Sequence, residues 1–443
     1  MLTFSGAKYR VCDGISRRGF LKVGALALGG LTLADVLRLK AQGAARPKSS
    51  VKSIIMVYLH GGPSHIDMYD MKPDAPAEFR GQFKPIQTTV PGFDICELMP
   101  LQAKIADKMS VIRNMSFLEY TLGHNPPLVY SGYPAGSVFP ETSRRPTFGS
   151  VVSKLRGGAV PNMPPYVAFD GVGTHPVLGD YLGMAHRPFV PGEQLSSLGP
   201  AAGMTLGRMS DRTELLRSFD TLRRDIDDAH GSMGGMDAFT ARALDIVTTP
   251  QASDAFDVMR EPDRVRANYA GGTQFLQARR LVEAGVQVVT LTSHAETKTW
   301  DLAGPWDHHG NIFPGLQREL PVLDRRLYAL ITDLHERGLD QNVAVLVWGE
   351  MGRTPKVNSG AGRDHWCDVG FTLVAGGGLK MGQVIGATTA RGERAAGRRY
   401  TPKHMLATLY QQVLGIDPAT TLPGLNGRPM YVLDDREKIT ELV

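Results

Sequence analysis

The chain predicts an α/β fold built on a mostly parallel central sheet. Three observations carry that prediction. Continuous apolar runs at Ser53–Leu59, Val286–Thr292 and Val343–Trp348 read as strands buried on both faces. Amphipathic stretches lie between the later ones, from about Asn268 to Ala284 and from about Leu316 to Arg337, each stopped by a glycine, Gly285 and Gly338. Connections of that length demand right-handed crossovers between parallel strands.

The elements follow in order. Ser53–Leu59 ends in His60-Gly61-Gly62-Pro63-Ser64-His65-Ile66-Asp67, a loop dense in histidine and acid. Turn chemistry and helix capping account for some of these residues without any function. An oxyanion loop of a serine hydrolase is a competing reading, but no G-x-S-x-G elbow exists to complete it. A helix is expected over Leu101–Lys108 and a short strand over Ser110–Arg113. Residues 135–265, rich in Gly, Pro and Met, read as a cap or insertion over one end of the sheet, with a helix at Thr213–Asp227. His175, His186 and His230 within it are read as surface or structural residues. Phe371–Ala375 gives a late strand, and Pro402–Leu414 a last helix. Gly376-Gly377-Gly378 lacks the spacing of a dinucleotide loop.

The net charge of +5 says little about the folded part. Residues 1–45 hold seven Lys/Arg against two Asp and account for all of it. Nucleic-acid binding therefore loses its electrostatic argument. The same segment contains Ser16-Arg17-Arg18-Gly19-Phe20-Leu21-Lys22, an apolar run from Val23 to Ala34, and then Gly43-Ala44-Ala45. That order is expected of a twin-arginine export signal, which places the protein in the periplasm or outside the cell with the twin-arginine translocase as a transient partner. The apolar run is short for a transmembrane anchor, and no stable span is expected after cleavage, although an uncleaved signal could tether the protein. Of three cysteines only Cys96 and Cys367 follow it, with no CxxC spacing, so iron–sulfur and structural zinc sites are not expected.

Four segments set His or acidic residues just after strands: 60–70, 114–124, 307–309 and 350–365. In a parallel sheet they emerge on one edge, where α/β proteins gather their chemistry. The candidate metal ligands are His60, His65, Asp67, Asp307, His308, His309, Glu350, Asp364 and His365. Imidazole nitrogen mixed with carboxylate oxygen suits a divalent metal, zinc best, with manganese, magnesium or calcium left open. Arg113 and Arg353 are candidate oxyanion clamps, or structural ion-pair partners.

The segments LHGGPSHIDMYDMKP (59–73), ICELMP (95–100), VIRNMS (111–116), WDHHGN (306–311), GEMGRTP (349–355) and GRDHW (362–366) carry a resemblance. The chain is similar to a twin-arginine-exported family of unknown function within the alkaline-phosphatase/sulfatase-like superfamily. The resemblance implies one domain over residues 51–443, a three-layer α/β/α fold, and phosphate- or sulfate-ester hydrolysis of a small-molecule or glycan substrate. By motif, the first metal position falls on His60-Gly61 or Asp67, the Asp/His pair on Asp307 with His308 or His309, and the late His on His365. Glu350 stands where Asp is usual, and Met351 where its partner His belongs. Only the tail of the sulfatase nucleophile pattern is present, Ser131-Gly132-Tyr133-Pro134, so Thr121, His124 or a water is left as the attacking group. A lyase or oxidoreductase, or a non-catalytic cell-envelope or glycan-binding protein with a degenerate site, is the alternative.

Overall fold

The computed structural model describes residues 51–118, 123–134, 145–169, 180–191, 250–295, 305–424 and 427–443. Residues 1–45, Thr121, His175, His230 and the helix expected at Thr213–Asp227 lie outside them.

Among the described residues seven strands form the central sheet: β1 (Ser53–Tyr58), β2 (Met109–Met115), β3 (Tyr166–Ala168), β4 (Val288–Thr292), β5 (Val343–Trp348), β6 (Gly370–Gly376) and β7 (Gln383–Ile385). Their order is β7-β2-β6-β5-β1-β4-β3. β1 sits inside the sheet with parallel partners on both sides, which is why all six of its residues are buried. Its side chains alternate between two cores. Ile55 and Val57 pack with helices α2 (Thr273–Glu283) and α3 (Ile312–Glu336) on one face. Ile54, Met56 and Tyr58 pack on the other with α1 (Phe148–Arg156) and α4 (Pro402–Thr408). The result is three layers, helices–sheet–helices, in a mixed α/β chain. Each such aliphatic side chain contributes about 1.5–3 kcal/mol when taken out of water.

One strand departs from the parallel expectation, with a consequence for the site. β6 runs antiparallel to both β5 and β2. The connection from Trp348 to Gly370 therefore leaves the sheet and returns to it at the same edge. Tyr58 stands level with Trp348 on one side and Thr292 on the other, so β1, β4 and β5 end in line. β2, antiparallel to β6, points the same way as β5. The described parts of all four polar segments thus meet at one edge, although the sheet is not wholly parallel.

Part of the stretch expected as a cap belongs to the layers themselves. β3 pairs with β4 as the sheet's edge strand, and α1 packs Phe148, Val151 and Val152 into the core. The helix expected from Asn268 begins instead at Thr273, after a separate short helix, Asp263–Asn268. Cys96 and Cys367 are buried free thiols. Among the described residues no helix is long and apolar enough to cross a membrane.

Candidate metal centre

The turn that follows β1 fixes the floor of the site. Gly61 and Gly62 have φ of 111° and 79°, the region that favours glycine. A Cβ on Gly61 would stand 2.6 Å from the Asp307 nitrogen, and one on Gly62 2.5 Å from Met351 Cγ. The bare backbone lets three loops close on one another. Trp306, buried, anchors the third of them by donating from its backbone nitrogen to the His60 carbonyl (3.1 Å) and from Nε1 to Ser293 (2.7 Å).

Glu350 lies at the bottom, its side chain sealed from solvent. Tyr58 Oη donates to its Oε2 at 2.8 Å, and the Gly61 amide reaches both oxygens, at 3.1 and 3.3 Å. His124 Nδ1 lies 2.7 Å from Oε1. Burial pushes the Glu350 carboxyl up, but His124 and His60 more than reverse this and hold it below its ordinary value. It is a buried carboxylate in charged form.

Asp307 is the hub. Its Oδ2 is 3.4 Å from His124 Nε2, and its Oδ1 is 3.1 Å from His309 Nε2 and 3.2 Å from His365 Nε2. The two histidine Nε2 atoms are themselves 3.1 Å apart. Arg353 also donates to Asp307 Oδ1. Burial disfavours the Asp307 charge, yet His124, His365 and Arg353 together hold the carboxyl well below the usual range. The same bonds work on His124: burial lowers its proton affinity, and Asp307 and Glu350 outweigh that, raising it to about 9. His60 is drawn down, burial first, with Glu350 opposing. At the solvent side His309 Nδ1 lies 2.7 Å from Asp364 Oδ1, and Asp364 is held low chiefly by that bond. Exposure rises from Glu350 through His124, at 27%, to His309, at 46%, so the centre opens on the His309 side.

The donor set fits a divalent ion. Three atoms, Asp307 Oδ1, His309 Nε2 and His365 Nε2, form a triangle with edges of 3.1, 3.1 and 3.2 Å. Ligands held about 2.0–2.1 Å from one tetrahedral zinc stand about 3.3 Å apart. Two imidazole nitrogens facing each other can share one proton at most, and an ion satisfies both.

The other expected residues go elsewhere. His65 is buried with Nε2 on the Gly392 carbonyl (2.8 Å) and Nδ1 unpartnered, and burial lowers its proton affinity. Asp67 is held by Arg363 (2.7 Å) and Ser64 (2.6 Å). His308 tucks against Gly315 of α3, where burial first, then Arg353 and Arg318, lower it to about 4. Arg113 donates to the carbonyls of Tyr69 (2.6 Å) and Asp94 (3.2 Å) and stands 3.6 Å from Asp70. Arg353, fully buried, spends its guanidinium on Gly61, Gly62, Arg363 and Asp307. Both arginines bind loops. Tyr58 was not singled out by the sequence, where it reads as the last apolar residue of a strand.

The family described as Protein of unknown function (DUF1501) matches residues 51–443. The chain belongs to that family. No curated protein matches it. Solved structures similar to the DUF1501 chain include the lipoteichoic acid synthase LtaP from Listeria monocytogenes, with 9% identity, a TM-score of 0.35, and 83% of this chain and 72% of that one covered. The PsFucS1 sulfatase from Pseudoalteromonas sp. is 12% identical over 80% of this chain and 68% of that one, with a TM-score of 0.32. Ps i-CgsB is 10% identical, covering 77% and 70%, also with a TM-score of 0.32. Likeness at that level says nothing about activity.

Proposed function

We propose that this protein is an exported, metal-dependent hydrolase of phosphate or sulfate esters. The observation that carries the reading is the convergence of Asp307, His309 and His365 on one point at the solvent-open edge of the sheet, with His124, His60 and Glu350 beside them. Donors of this kind suit zinc, or manganese in its place. A bound ion would supply Lewis-acid stabilisation of charge on a phosphoryl or sulfuryl oxygen.

The chain's own residues prepare that environment. Arg353 fixes Asp307 and the Gly61–Gly62 turn in one arrangement, so the dipoles around the centre need no reorganisation. Glu350, held by Tyr58 and the Gly61 amide, orients His124. Thr121, three positions before His124 in the sequence, or a water is the proposed attacking group. Export follows the twin-arginine reading of residues 1–45.

One observation favours the binding-only alternative: Arg113 and Arg353 are bonded to backbone carbonyls and acids, which counts against both as oxyanion clamps. A screen of the zinc- or manganese-loaded full chain against aryl phosphates, phosphodiesters and aryl sulfates decides. Turnover that disappears in His365→Ala supports the hydrolase. No turnover of any class with the ion bound leaves the glycan-binding reading.

A further inference from the structure

We infer that the centre holds a single ion, bound by Asp307, His124, His309 and His365, while Glu350 and Asp364 are positioning residues that never touch it. This deepens the hydrolase reading above and rests on it.

The division comes from how the two ring nitrogens of His309 and His124 are used. His309 gives Nδ1 to Asp364 at 2.7 Å and turns Nε2 to Asp307 and His365. His124 gives Nδ1 to Glu350 at 2.7 Å and turns Nε2 to Asp307. In both, a carboxylate can accept a hydrogen bond from Nδ1–H, which leaves Nε2 as the nitrogen that faces the common point and gives up its proton when an ion binds. Ring packing agrees: the His365 ring centroid lies 4.5 Å from that of His124 and 4.6 Å from that of His309.

A second ion would need carboxylates that are already committed. Each Glu350 oxygen accepts two hydrogen bonds, Oε2 from Tyr58 and Gly61, Oε1 from Gly61 and His124. Binding an ion through Glu350 would break one of them inside a sealed pocket, at the cost of stranding a buried donor. Asp67 and His65, the other acid and imidazole on the β1 loop, are turned to Arg363 and Gly392. Proximity alone also groups His60, His124 and Glu350, and that group is the competing second site.

The test counts ions. The full chain, stripped of metal, is titrated with zinc and separately with cobalt(II). Bound ion is measured by elemental analysis, and the cobalt environment by visible absorption. One ion per chain with a tetrahedral cobalt spectrum is expected. Glu350→Gln and Asp364→Asn should keep that count and bind roughly 10–100-fold more weakly. His60→Ala should leave the count unchanged. Asp364 is half exposed, so its variant keeps the test open if Glu350→Gln does not fold. Two ions per chain, with Glu350→Gln or His60→Ala removing one, would overturn the inference and leave the hydrolase reading standing. No bound zinc or cobalt would overturn both.

Discussion

Tyr58 Oη lies 2.8 Å from Glu350 Oε2, joining the last residue of β1 to the first acidic residue after β5. The register makes that bond possible, because Tyr58 is paired with Trp348, two positions before Glu350. A hydroxyl on a sealed carboxylate is a charge-assisted bond, worth about 1.5–3 kcal/mol. Tyr58→Phe keeps the ring and removes only the oxygen. It should lower the unfolding free energy in urea by about that amount and weaken metal affinity, with the far-ultraviolet spectrum unchanged.

Asp67 and Arg363 form a pair with both partners buried. Arg363 also ties down the carbonyls of Phe79, Thr354 and Pro355, so it joins the β1 loop to the loop bearing His365. Asp67→Asn leaves an uncompensated buried guanidinium and should cost roughly 3–5 kcal/mol in chemical denaturation. The ion count of the folded fraction should not change, which distinguishes a structural acid from a ligand.

Glu319 in α3 is a buried acid that the sequence hides within an amphipathic helix. Burial raises its carboxyl to about 7 from the ordinary 4.5, against the Ala295 amide, Arg318 and Arg326. The folded state therefore holds its proton to higher pH than the unfolded state does. Stability from this group is full below the unfolded value and falls as pH rises from 4.5 to about 7, by on the order of 3 kcal/mol. Glu319→Gln should remove that part of the slope in melting curves taken between those pH values. An unchanged slope would show that Glu319 is not its source.

Much of the fold was legible in the sequence, and the reasons are specific. β1 and β5 are buried on both faces, so their apolar runs are continuous and leave no ambiguity of period. β3 has only three residues after Pro164-Pro165, too few to show a period, yet it closes the sheet. That the described parts of the polar segments share one edge was readable because they follow strand ends. Which of them meet was not, since partner choice is decided across the fold. Asp67 and Arg363 are 296 residues apart, and nothing local marks Asp67 as Arg363's partner rather than a metal's. The antiparallel turn of β6 was equally invisible, although it is what brings Glu350 and His365 to one edge.

The most direct test of the proposed metal-dependent hydrolysis is a reversible depletion of one preparation. Ester hydrolysis by the full chain should vanish on removal of divalent ions with a chelator and return on adding back zinc or manganese, in proportion to the ion bound. Hydrolysis that persists in metal-free protein, or its absence in protein shown to carry the ion, would contradict the account.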